Sequence, residues 1–166
     1  MDNLELLKNR RSVRAFSSQE ISRQTLEMII DAARFAPTAR NVQPWQFIII
    51  QNKQTLSKLS IIAENGRFLN QAAACIAVFC QDTKYYLEDG CATTCNILLA
   101  ATALGIASCW IAGDRKPYCA EVTGLLKVPS GFKLISLVAL GYPLDQNVFR
   151  PAEKIAGEKL IHWEKF

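Results

Sequence analysis

The sequence contains no apolar run long enough to cross a membrane. The longest one, residues 97–112, is interrupted by Thr102, Gly105 and Ser108, whereas a membrane-spanning helix needs about 20 consecutive apolar residues. The chain begins with the acidic residues Asp2 and Glu5 and has no apolar segment of the kind that a signal peptide needs. These absences predict a protein that stays in the cytoplasm and has no membrane partner.

The sequence also lacks a long run of lysine or arginine, and its net charge is only +4. Nucleic-acid-binding proteins usually carry a concentrated basic patch or a recognisable motif of basic and aromatic residues. We therefore expect no nucleic-acid partner.

No Cys-x-x-Cys pair occurs among the six cysteines, and His162 is the single histidine. Cys91 and Cys95 stand four residues apart and could bind a metal with Cys109 or Cys119. However, the first two lie in a segment that packing places in the core. The favoured interpretation is free thiols in a reducing compartment, no bound metal, and a structural role for His162.

The composition and length of the chain predict one globular domain over residues 1–166. Half of the residues are hydrophobic and a fifth are charged, which is ordinary for a folded protein. From Cys91 onward one long segment is apolar nearly all round, so as a helix it must be covered by the domain, by a partner subunit or by both. The polar tail after Leu144 ends in aromatic residues, which is typical of a segment that wraps over a partner.

Apolar spacing predicts helices over 3–9, 22–35, 53–63, 84–104 and 117–125, and strands over 45–50, 72–80, 106–111 and 134–140.

The residues with the clearest chemistry form a basic cluster near the N-terminus. Lys8, Arg10, Arg11 and Arg14 are four cations within seven residues, and residues 7–18 include no acid. If this segment is extended, Arg10, Ser12 and Arg14 share one side and Arg11 faces the other. Two guanidinium groups flanking a hydroxyl can bind one phosphate, because the planar guanidinium matches phosphate oxygens. A solvated basic turn is the alternative.

A second segment, residues 36–47, joins a helix to a buried strand. Pro37 and Pro44 fix φ at its two ends, and Thr38, Asn41 and Gln43 place short neutral polar groups between them. Such a loop can follow the polar edge of a flat heterocycle without adding charge. An ordinary rigid connection is equally consistent with the pattern.

A third segment is the end of the predicted strand 106–111, which runs into Ala112 and Gly113. Because neither residue has a bulky side chain, a ligand could approach the backbone closely there. A strand-to-helix turn with no ligand is the simpler alternative.

Taken together, these ordered motifs resemble the nitroreductase family of flavin enzymes over essentially the whole chain. They are Arg-Arg-Ser-Val-Arg, Ala-Pro-Thr-Ala-Arg-Asn-Val-Gln-Pro-Trp, Gly-Ile-Ala-Ser-Cys-Trp-Ile-Ala-Gly, Leu-Gly-Tyr-Pro and a C-terminal His-Trp-Glu-Lys-Phe. The resemblance implies an α+β fold, a three-layer α/β/α sandwich around a mostly antiparallel sheet. It also implies a homodimer in which the C-terminal segments are exchanged and two FMN sites lie at the interface.

The resemblance implies which residues bind FMN. Arg10, Ser12 and Arg14 would hold the phosphate and ribityl chain, with Arg11 adding backbone contacts and, as an open alternative, side-chain contacts. Asn65 and Arg67 are candidates for the pyrimidine edge of the ring, in a segment that is shortened here. The remaining candidates are Pro37, Thr38, Ala39, Asn41 and Gln43 from the partner subunit, the backbone amides of Ile111, Ala112 and Gly113, and a C-terminal cation, with Arg150 as first choice and Lys154 as second.

The implied function is an FMN-dependent oxidoreductase. NADH or NADPH would donate electrons, and a small acceptor such as a nitroaromatic compound or a quinone would take them in a ping-pong reaction. No side chain is required as acid, base or nucleophile, because the flavin carries the chemistry. Two alternatives use the same motifs: a dimer that stores or senses FMN without turnover, and a reductive specialist such as a dehalogenase.

Overall fold

Four antiparallel strands form the centre of the structure, a computed structural model that describes residues 3–166. They are β1 (Trp45–Ile50), β2 (Ala74–Gln81), β3 (Ala107–Ala112) and β4 (Phe132–Gly141), in the spatial order β1-β2-β4-β3. The two middle strands, β2 and β4, are buried along nearly their whole length. Because both of their faces are covered, their sequences are continuous apolar runs instead of alternating ones.

Helices cover both faces of this sheet. They are α1 (Asn3–Asn9), α2 (Arg23–Ala33), α3 (Lys53–Ile62), α4 (Tyr86–Ala103) and α5 (Cys119–Leu125). On one face α2 and α4 pack on the sheet through residues such as Leu26 and Ile97. On the other face α3 and α5 contribute Leu56 and Val122 to a second apolar cluster. This three-layer α+β arrangement confirms the fold class that the sequence predicts.

The boundaries of the predicted elements lie within two residues of those observed. Ser22 caps α2 by accepting a hydrogen bond from the amide of Thr25, and Gly105 follows α4 with φ of 71°. The four 3₁₀ segments within residues 3–166 were not predicted, and the longest of them covers Glu64–Gln71. The longest segment is mostly polar and buries only Gly66 and Leu69, so it offers too few apolar residues to predict an element from sequence.

The segment after β4 makes few contacts with the rest of its own chain. Val148 and Phe149 pack against the apolar cluster on the α3 side, but residues 153–166 are all exposed. Among residues 3–166, no helix is both long enough and apolar enough to span a membrane.

Candidate functional site

The basic cluster lies along the free edge of β3. The amide of Val13 donates to the carbonyl of Ser108 at 2.9 Å, and Ser12 pairs with Ser108 in a short parallel bridge. Val13 and Phe16 are buried and anchor the segment, whereas Ser12 and Arg14 are exposed. The segment is therefore extended, as predicted, and it displays its polar residues at the sheet edge.

A cavity of about 700 Å³ opens beside this segment. Its volume falls within the range of ligand pockets, roughly 300–1,000 Å³. Within the described residues, none of the cations Arg10, Arg11, Arg14 and Lys154 lies within 4 Å of a carboxylate. The wall contains no acidic residue, so the cavity is suited to an anion. It is lined by Leu7, Lys8, Arg10, Arg11, Ser12, Arg14, Pro151, Ala152 and Lys154.

The cavity differs from the expected arrangement at Arg11. A strict two-residue alternation would turn Arg11 away, yet it lies in the wall with its neighbours. The amide of Arg10 still donates to the carbonyl of Leu6, at 3.3 Å, so the helical turn of α1 continues to this point. Strand alternation begins only after it. At the C-terminal side, Lys154 lines the cavity and Arg150 does not.

Two arginines of the cluster lie close to the 3₁₀ segment and to β3. The guanidinium of Arg14 lies 5.8 Å from the ring centre of Phe68 in the 3₁₀ segment. Burial raises the pKa of the Cys109 thiol, while Arg14 and Arg10 oppose that rise because they favour its charged form. Arg14 and Arg10 therefore lie close enough to Cys109 to favour its charged form.

The other end of β3 leaves one amide unpaired. The amide of Gly113 donates to the carbonyl of Ile135 at 2.9 Å. Because bonding alternates along an antiparallel pair, Ile111 also bonds to β4, and Ala112 points its N–H and C=O to the free edge. A Cβ at Gly113 would lie 2.7 Å from the backbone of Ile135, so only glycine fits there. The amides of Ile111, Ala112 and Gly113 were expected to face a ring. Among these three, only the Ala112 amide is not hydrogen-bonded to β4.

The 3₁₀ segment packs on β3 from the face of the sheet that α3 and α5 cover. A Cβ at Gly66 would lie 3.2 Å from the Ile111 side chain, which shows how closely the segment packs on β3. Asn65 and Arg67 flank Gly66 and are exposed. The structure thus places both candidates along the same strand as the basic cluster.

The loop before β1 is held by a buried carboxylate that sequence reasoning missed. Asp89 is 5% exposed; it accepts hydrogen bonds from the Thr38 hydroxyl at 2.9 Å and from the Ala39 amide at 3.0 Å. The Thr38 hydroxyl in turn accepts from the amide of Gln43 at 3.1 Å. The only signal in the sequence is a pair of acidic side chains, Glu88 and Asp89, in the first turn of a largely apolar helix, which does not identify a partner.

The same loop carries backbone strain. Arg40, Asn41 and Gln43 have φ values of 54°, 57° and 51°, a region that costs a non-glycine residue about 1–2 kcal/mol. The exposed side chains of Asn41 and Gln43 are joined by a 3.0 Å hydrogen bond. No residue of this loop lines the basic cavity of its own chain.

The cysteines are all free thiols. Burial raises the pKa of Cys75 and of Cys80 to about 12, so both stay protonated at neutral pH. Within the part of the chain that the structure describes, no three histidine, cysteine, aspartate or glutamate side chains are grouped to hold a metal ion.

Comparisons with known proteins agree with this architecture. The nitroreductase family matches residues 7–74. A putative NADH dehydrogenase/NAD(P)H nitroreductase of Archaeoglobus fulgidus is 37% identical, over 98% of this chain and 98% of that protein. An FMN reductase [NAD(P)H] of Bacillus subtilis is 27% identical, over 98% of this chain and 74% of that protein. The crystal structure of a putative NADH dehydrogenase/NAD(P)H nitroreductase from Bacteroides thetaiotaomicron superposes with a TM-score of 0.92 at 25% identity, covering 98% of this chain and 97% of that one.

Proposed function

The chain belongs to the nitroreductase family, and from this premise we propose that it is an FMN-dependent oxidoreductase driven by NADH or NADPH. Its electron acceptors are small molecules such as nitroaromatic compounds or quinones. The similarity to an NAD(P)H-dependent FMN reductase supports both the cofactor and the donor. The proposed unit is a single cytoplasmic FMN-binding domain over residues 1–166.

The observation that carries this proposal is the basic cavity at the free edge of β3. The phosphate of FMN is a multiply charged group with several acceptor oxygens, which Arg10, Arg14, Lys154 and the Ser12 hydroxyl would bind. The hydroxyl of Ser108, paired with Ser12 along the backbone, is buried and has no hydrogen-bond partner within the described residues. Ser108 is not among the residues that line the cavity, so the fit depends on the cations and on Ser12. The residues present therefore fit a phosphate-bearing cofactor.

The remaining edge of β3 fits the ring of the cofactor. When bound, FMN supplies the redox chemistry itself, and the protein supplies binding, orientation and electrostatics. In the proposed site the Ala112 amide would donate a hydrogen bond to the ring, and Arg67 and Asn65 would contact its pyrimidine edge. A fixed donor and a cation at these positions favour negative charge on the ring. Ile111 and Gly113 hold the strand in place by pairing with β4.

A homodimer completes the proposed site. The loop with Pro37, Thr38, Ala39, Asn41 and Gln43 does not reach the cavity of its own chain, so we assign its ring contacts to the partner subunit. The tail has large apolar side chains in solvent, with Trp163 87% exposed. An exchanged tail would cover them. On α4, the outer stripe of Ala92, Cys95, Leu99 and Ala103 is likewise only partly covered.

Spectroscopy on the purified full-length protein tests the proposal. We expect a yellow protein that releases FMN on denaturation and is bleached anaerobically by NADH or NADPH. Reoxidation by a panel of nitroaromatic compounds and quinones then identifies the acceptor class. A protein that stays colourless with added FMN would overturn the flavin assignment. A yellow protein that neither donor bleaches would instead favour the storage or sensing dimer.

A further inference from the structure

The backbone at the end of β3 is held by side chains from the beginning of α5. The Tyr118 hydroxyl donates to the carbonyl of Ala112, and the Cys119 thiol donates to the carbonyl of Gly113. The amide of Lys116 also donates to the Gly113 carbonyl, at 3.0 Å, and the Gly113 amide is paired with Ile135. Of the four backbone polar groups of Ala112 and Gly113, only the N–H of Ala112 has no partner among residues 3–166.

Tyr118 is itself held rigidly. It is 7% exposed and packs in the apolar cluster that includes Ile111 and Val122. Burial raises the pKa of its phenol, with smaller contributions from Cys119 and Glu64, so the group is a neutral hydroxyl donor at physiological pH. A rigid neutral donor can fix a carbonyl without placing a charge beside the cofactor.

The direction of the Ala112 carbonyl also fixes the direction of its amide. In an extended strand the N–H and C=O of one residue point to the same side. The Tyr118 contact therefore holds both groups of Ala112 toward the free edge, next to the place that the proposed function gives to the ring. A donor that is already oriented stabilises developing charge without reorganisation during the reaction.

We propose that Tyr118 is a positioning residue for the redox reaction: by binding the Ala112 carbonyl, it aims the Ala112 amide at the flavin ring. This inference rests on the proposed FMN function. It assigns Tyr118 no contact with the substrate and no proton transfer. Its effect is on the relative stability of reduced and oxidised cofactor, because negative charge develops on the ring when it is reduced.

The test compares Tyr118→Phe with the control Tyr142→Phe in the FMN-loaded protein. Tyr142 is half-buried against the opposite face of the sheet. In Tyr118→Phe we expect affinity for oxidised FMN within about threefold of wild type, since the phosphate contacts are intact. Affinity for reduced FMN should fall about tenfold, which makes the two-electron midpoint potential about 30 mV more negative. The kcat should fall while the KM for the donor stays within about twofold, and the control should match wild type in FMN affinity, midpoint potential, kcat and KM.

An unchanged midpoint potential in folded, FMN-loaded Tyr118→Phe would overturn the inference. So would an equal loss of affinity for both redox states, because that result describes a structural residue only. A second measurement needs no variant: hydrogen exchange at the Ala112 amide of the wild-type protein should slow when FMN binds. Unchanged exchange would also overturn the inference. If wild-type protein binds no FMN, the proposed function itself fails, and that failure is seen before any variant is made.

Discussion

Arg14 lies where three parts of the candidate site meet. It lines the cavity, it lies over the Phe68 ring of the 3₁₀ segment, and its charge acts on Cys109 in β3. An arginine packed on an aromatic ring loses less conformational freedom when it binds an anion than one that moves freely in solvent. Arg14 should therefore contribute more to phosphate binding than an equally exposed cation elsewhere on the surface.

Replacing Arg14 by alanine should weaken FMN binding by about 1.5–3 kcal/mol, the usual range for a hydrogen bond to a charged group. The expected dissociation constant is roughly tenfold to a hundredfold higher in a fluorescence titration of apoprotein with FMN. Raising the salt concentration should weaken wild type more than the variant, because the variant has lost one screened interaction.

Arg23→Ala is the matched control, since Arg23 is exposed on α2 and pairs with Glu27. An Arg14→Ala variant that binds FMN as tightly as Arg23→Ala would place the phosphate elsewhere. The same titration separates the two C-terminal candidates: Lys154→Ala should weaken binding more than Arg150→Ala, because only Lys154 lines the cavity.

The sequence predicts whole helices and strands more completely than it predicts individual contacts. Continuous apolar runs predict β2 and β4, because both strands are buried on two faces, and Ser22 and Gly105 mark helix ends through local backbone chemistry. Asp89 and Tyr118 were missed for a physical reason. Asp89 bonds to residues about 50 positions away, and the role of Tyr118 depends on a carbonyl whose direction is set by pairing with β4. No local pattern records such contacts.

The loop over residues 37–43 depends on one of these missed contacts. Asp89→Asn keeps the size of the side chain but replaces the carboxylate, which accepts hydrogen bonds from the Thr38 hydroxyl and the Ala39 amide, by a neutral amide. We expect the free energy of unfolding of the apoprotein to fall by about 1–3 kcal/mol in urea denaturation, because a charge-assisted hydrogen-bond pair is lost. FMN should also dissociate faster, since the strained backbone at Arg40 and Asn41 would relax.

Asp82→Asn provides the comparison for that experiment. Asp82 is exposed and pairs only with Lys133 at the surface, a contact worth little in water. Equal stability and equal FMN dissociation rates in the two variants would refute the role given to Asp89.

At the scale of the whole molecule, exposed apolar side chains separate into two kinds. Ile61 on α3 is 79% exposed as an isolated residue, which is common on protein surfaces. The tail instead carries several close together, including Leu160, Ile161 and Trp163. Such a cluster on a segment that makes few contacts with its own chain is what an exchanged tail requires.

Trp163→Ser therefore tests the proposed dimer. In an isolated chain the substitution should leave the free energy of unfolding almost unchanged, because Trp163 is 87% exposed. If the tail is exchanged, each buried tryptophan contributes about 2 kcal/mol or more. A symmetric dimer contains two of them, so the dimer dissociation constant should rise by roughly a thousandfold in sedimentation equilibrium.

Ile61→Ser is the matched control and should leave the dimer dissociation constant unchanged. Two results would refute the exchanged tail: a wild-type chain that is monomeric at all concentrations, or a Trp163→Ser variant that dimerises like Ile61→Ser. Neither result bears on the phosphate contacts of Arg14, which the FMN titration tests separately.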